Sequence, residues 1–187
     1  GLGDVYKRQG SMSSRIARLV QSYQSYIELP WEKGLAGVQK VIFAVYDKTE
    51  ELRMRVQMEE FEIATKSAQH NWRLIDITDS FPQWMASHDY CEGYFESPDD
   101  LQDCLPEFTD SVVASINAML AESDENTVVA LQGVAAVYGF SHVSEIVAKV
   151  ANNVQGRLLV LFPGEYENNN YRLLDARPGW NYQAVPI

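Results

Sequence analysis

GRLLVLFPGEYENNNYRLLDARPGWNYQAV, residues 156–185, is the stretch whose reading decides the fold. An apolar run, Arg157–Phe162, passes straight into Pro163-Gly164. Three asparagines follow, Asn168, Asn169 and Asn170. Asparagine accepts left-handed backbone and hydrogen-bonds locally, so this dense run of turn formers predicts a hairpin. Beyond it, YRLLD and WNYQAV are separated only by Ala176-Arg177-Pro178-Gly179. Four residues cannot make a parallel crossover, so that pair is expected to be antiparallel.

Upstream, the strand signal is of another kind. Val41–Tyr46 (VIFAVY), Trp72–Ile77 (WRLIDI) and Thr127–Leu131 (TVVAL) join Arg157–Phe162 as expected buried strands, with Tyr182–Val185 as a fifth. Most are nearly continuous in apolar residues, the pattern of parallel strands covered on both faces. Helical periodicity lies between them. It covers Ser13–Leu29 before Pro30, then Glu50–Ala68 with Met54, Met58, Phe61 and Ala68 on one face. A short helix is expected to open at Ser80-Phe81-Pro82 and run to about Ser87. Ser97-Pro98 repeats that start signal, and Pro106–Ala121 carries Phe108, Val112, Ile116, Met119 and Leu120 at helical spacing. Ser141 is expected to cap a helix whose buried stripe is Val143, Ile146, Val147 and Val150. Alternating strands and helices predict an α/β three-layer sandwich with a mostly parallel sheet of about five strands and a C-terminal antiparallel hairpin.

The chain has 187 residues, 46% of them hydrophobic, which suits one domain with a real core. Residues 1–11 show no apolar period and precede Met12, so they are expected to be a non-native or disordered leader to a single domain, 12–187. The net charge is −11; the leader contributes +1, leaving −12 on residues 12–187. Such acidity opposes non-specific binding to nucleic acid or anionic membrane. Cys91 and Cys104 are too far apart for CxxC chemistry and read as reduced structural thiols. No run reaches the ~18 apolar residues a membrane span needs. A cytoplasmic protein is expected.

Ligands of parallel sheets gather at the carboxyl ends of strands. The first strand exits into Asp47-Lys48-Thr49, which has no glycine and is not a phosphate-binding GxxxxGK[ST] loop. The third exits into Gln132-Gly133, without GxGxxG. Asp47, Asp76, Asp79 and Glu165 collect at strand ends, where carboxylates hold Mg²⁺ in other proteins, yet Asp47 and Asp79 also read as helix starters. Gly139-Phe140-Ser141-His142-Val143 lacks the second glycine of a nucleophile elbow. No catalytic residue, metal ligand or cofactor is therefore assigned. A crevice formed by Asp47, Asp76, Gly133, His142 and Glu165 is the candidate ligand site. The Gly164–Asp175 loop, with Asn168, Asn169, Asn170 and Arg172, is the candidate recognition surface. Aromatics on the first helix (Tyr23, Tyr26) and in the acidic segment HDYCEGYFESPDD (Tyr90, Tyr94, Phe95) are candidate interface anchors.

The segment FPGEYENNNYRLLDARPGWNYQAVPI resembles the C-terminal hallmark of the BrxB family, the B component of BREX (bacteriophage exclusion) systems. TVVALQGVAAVYGFSHVSE, LPWEKGLAGVQKVIFAVYD and WRLIDITDSFPQWMASHDY extend the resemblance over residues 12–187. The resemblance implies a P-loop or RecA-like layout without Walker residues, in a cytosolic protein of a multi-gene phage-defence cluster. It also implies partners among the cluster's other products: a methyltransferase, a large ATPase and PglZ, an alkaline-phosphatase-superfamily member. The family carries no established catalytic residues. The expectation is a non-enzymatic scaffold or adaptor that binds PglZ, with a homodimer left open. The alternative is a divergent nucleotide- or metal-dependent enzyme with its site at the carboxyl edge of the sheet.

Overall fold

The computed structural model describes residues 2–87, 98–174, 180–181 and 185–187. Helix α1 spans Leu2–Ile27, so it continues back through the segment set aside as a leader. Strand β1 is Val41–Tyr46. Helices α2 (Glu51–Val56) and α3 (Met58–Ser67) follow, then β2, Asn71–Asp76. Next come α4 (Ser80–Ser87), α5 (Pro98–Ala121) and β3 (Thr127–Gln132). Helix α6 is Val143–Val150 and β4 is Arg157–Glu167. Short strands β5 (Asn170–Leu173), β6 (Trp180–Asn181) and β7 (Val185–Pro186) complete the order.

The central sheet runs β2-β3-β4-β1-β7, every neighbour parallel. Alternation along each strand divides the core into two layers. Ile42 and Ala44 of β1, with Leu159 and Leu161 of β4, face α1–α3, whose Ile16, Tyr23, Ile27, Met54 and Phe61 are buried there. Val41 and Phe43, with Leu158 and Val160, face the other way onto α4–α6. The chain leaves β1 for the far edge of the sheet under α2 and α3, then returns strand by strand under α4–α6. Direction and face reverse together, so the crossovers keep one hand, as parallel connections require.

Strand β2 sits on the edge rather than in the core as expected of WRLIDI. Leu74 is 41% exposed. Glu50–Ala68, expected as one helix, breaks at Gln57 between α2 and α3, while Met54, Met58 and Phe61 are buried as foreseen. Helix α5 begins at Pro98, in keeping with the Ser97-Pro98 start signal, and runs on through Pro106, which lies inside it instead of opening a separate helix. Leu101 and Cys104 pack against the core upstream of that proline, and this burial holds the extra turns. Ser141 does not cap α6: His142 occupies that position without a side-chain bond, and the Ser141 hydroxyl pairs with Thr109 Oγ1 at 2.6 Å. Ser80 likewise donates its hydroxyl to the Ile77 carbonyl at 2.7 Å.

β4 outruns its neighbour. Tyr46 pairs with Pro163, and from Gly164 onward β4 pairs antiparallel with β5. The connection is Asn168-Asn169, at φ 51° and 64°. Two left-handed central residues make the turn whose twist suits a hairpin. β5 pairs antiparallel with β6, as expected of YRLLD and WNYQAV. The fifth strand divides: Val185 lies in β7 beside β1, and residues 182–184 lie outside the described residues.

Candidate functional site

Among the described residues, side chains of the hairpin pack against β1 and β4 at the carboxyl end of the sheet. Tyr171 and Leu173 of β5 are buried. The Tyr171 ring meets Phe43 edge-on at 4.5 Å, and Phe43 stacks on Phe162 at 5.2 Å. An open α/β sheet keeps its ligand crevice at this end. Here the hairpin fills the space beside β1 and β4.

On the edge strand, Asp76 ends β2 in a polar network. Its Oδ1 accepts from the Thr78 amide at 2.9 Å and from the Thr78 hydroxyl; its Oδ2 accepts from Gln132 Nε2 at 2.9 Å and pairs with Arg55 at 3.5 Å. Arg55 also donates to Thr78 Oγ1 at 2.8 Å and to Glu51 Oε1 at 3.1 Å, and Tyr46 donates to Glu51 Oε2. Burial works to raise the Asp76 carboxyl, but the Thr78, Gln132 and Arg55 contacts outweigh it and hold it below its ordinary value. Burial, then the Glu51 bond and charge, push the Tyr46 hydroxyl up. A carboxylate offers about four lone-pair sites, and four donors already face Asp76. It is a structural acceptor tying β2, β3 and α2 together.

Of the five crevice candidates, the structure brings together Asp76 and Gly133 alone. Gly133 has φ 91°, and a Cβ there would stand 2.8 Å from Asp76 Oδ1. Asp47 accepts from the Thr49 amide at 2.8 Å and its hydroxyl at 2.6 Å, bonds that lower its carboxyl from the ordinary value. His142 opens α6 on the surface, and Glu165 pairs with Arg172 across β4–β5. Each of the three carboxylates, Asp47, Asp76 and Glu165, is thus engaged by its own local donors. Among the interface candidates, Tyr23 is wholly buried with its hydroxyl 2.5 Å from Thr65 Oγ1, so it anchors the core and not a partner. Tyr26 is half-buried; Tyr90, Tyr94 and Phe95 lie outside the described residues. Asn168, Asn169 and Asn170 are exposed at the hairpin tip.

Sequence reasoning missed the opposite edge. A cavity of about 1020 Å³ opens at the amino ends of the strands. Register sets its floor: Val41 pairs with Leu158 and Asn71 with Thr127, so Lys40 stands beside Arg157 and His70 beside Asn126. Gly156 lies so close to the Thr127 carbonyl that no Cβ fits. Trp31 stacks on His70 at 3.7 Å, His70 Nδ1 meets Asn126 Oδ1 at 2.5 Å, and the Arg157 guanidinium lies 4.7 Å from the Trp31 ring. These residues are scattered from 31 to 157, and no local motif joins them.

Against known proteins, the family model described as BREX protein BrxB matches residues 79–187, more than half of the chain. The chain belongs to the BrxB family. No curated protein and no solved structure matches it. BrxB membership makes the protein a component of a BREX phage-defence system, and so a companion of other BREX components. Among the described residues, no helix is long and apolar enough to cross a membrane.

Proposed function

We propose that this BrxB protein is a cytoplasmic, non-enzymatic adaptor of its BREX assembly and that its partner is PglZ. One observation carries the reading. Leu52 and Val56 are 80% and 76% exposed, four residues apart and so on one face of α2. Large apolar side chains presented together are the usual core of an interface. α2 follows the carboxyl end of β1, and the Asn168–Asn170 tip follows that of β4, its immediate neighbour in the sheet. α2 thus offers apolar side chains, and the β4–β5 hairpin a polar tip, each following the carboxyl end of one of two neighbouring strands.

Size-exclusion chromatography with light scattering, on the protein alone and mixed with its cognate PglZ, tests this. Co-elution at a defined stoichiometry is expected, and L52E/V56E should abolish it while leaving the melting temperature unchanged. A parallel variant, Y90A/Y94A/F95A, asks whether the acidic aromatic segment contributes. Separate elution of the unaltered proteins would remove PglZ as the partner.

A further inference from the structure

The amino-edge cavity is not used by the adaptor reading, and its chemistry points elsewhere. Arg157 is only 5% exposed. Its Nη1 donates to the Gly156 carbonyl at 2.8 Å, but its buried Nε has no acceptor, and no ion pair among the described residues includes it. A buried guanidinium without a counterion is costly, because its desolvation is not offset by charge pairing. The indole Nε1 of Trp31, beside it, is also buried without an acceptor. Lys40 stands next in register, its Nζ 3.2 Å from the Val154 carbonyl, and Lys33 lines the same cavity. In a chain of net charge −11, three cations lining one cavity form a local exception.

The lining is not uniformly positive. Glu32 and Glu125 share it, together with Asn117 and Asn152. A bare polyanion would meet those carboxylates. A ligand with a phosphate at one end and hydroxyls at the other satisfies both sets: guanidinium and ammonium take the phosphate, while carboxylates and carboxamides accept from hydroxyls. Trp31 is already engaged by His70 and Arg157, so recognition rests on the phosphate and hydroxyl groups rather than on ring stacking. About 1020 Å³ is the upper end of the range for small-molecule sites.

We propose that the cavity between Arg157, Lys40 and Lys33 binds a phosphate ester of a hydroxyl-rich small molecule, a nucleoside or sugar phosphate. It lies across the sheet from the proposed docking edge, so it stands or falls separately from PglZ binding.

The test is thermal unfolding of the full chain with ATP, glucose 6-phosphate and, as a phosphate-free anion, citrate, each at millimolar concentration. One of the two phosphate esters should raise the melting temperature by roughly 3–6 °C, and citrate should not. ATP alone would assign the nucleoside source, glucose 6-phosphate alone the sugar source, and either supports the site. K33Q/K40Q, which alters the accessible cations and spares buried Arg157, should erase the shift while its unliganded melting temperature moves little. No shift from either ester, an equal shift with citrate, or a shift retained in K33Q/K40Q would overturn the proposal.

Discussion

At the scale of single residues, Asp76 and Gly133 set the terms of the carboxyl edge. Asp76 is negatively charged in its network, and the hydrogen bonds that hold its carboxyl low favour the folded state. Its contribution is present above the unfolded value of about 4 and is lost as pH falls through the lower folded value. The side chain is 41% exposed, so solvent screens the Arg55 pair. Asp76→Asn should therefore cost about 1 kcal/mol at neutral pH, with the gap from the parent narrowing as pH falls below the unfolded value of about 4. Urea unfolding at neutral and at acid pH reads both. Gly133 is constrained more severely. A Cβ would stand 2.5 Å from Thr78 Oγ1 and 2.6 Å from the Thr78 amide, on a backbone already at φ 91°. Gly133→Ala should lower stability by about 2–3 kcal/mol in the same measurement.

At the scale of elements, the β4–β5 hairpin packs Tyr171 against Phe43 and Phe162 at the carboxyl end of the sheet. Its turn depends on two consecutive left-handed residues, Asn168 and Asn169. Each β-branched substitution there should cost about 1–2 kcal/mol, so N168V/N169V should loosen the hairpin and with it the Tyr171 plug. Hydrogen exchange of the Gly164–Leu173 amides would show faster opening in the variant. The turn was legible from NNN between apolar runs because asparagine's tolerance of that backbone is local chemistry. The continuity of α5 through Pro106 was not legible. Proline removes an amide donor wherever it stands, and only the packing of Leu101 and Cys104 shows that the helix bears the loss.

For the whole molecule, net charge and edge chemistry divide the surface. With −11 on the chain, duplex DNA should show no retardation in a gel-shift assay even at low ionic strength. A salt-dependent shift would contradict that expectation. The L52E/V56E variant belongs to the same scale, since loss of PglZ co-elution without loss of stability locates a docking face rather than a folding defect.

The sequence by itself determined the parallel strands, the alternation that makes an α/β sandwich, the hairpin and the family. Those rest on short-range signals: apolar runs, turn residues and a contiguous C-terminal motif. It also yielded the correct buried stripe of α6, because helical spacing is local. Tertiary structure alone decided that β2 is an edge strand, that Tyr23 is buried, and that the three strand-end carboxylates answer to separate local partners. It alone gathered Trp31, Lys40, His70 and Arg157 at the amino edge. Strand order and register place residues more than a hundred positions apart side by side, and no local pattern of side chains encodes which strands become neighbours.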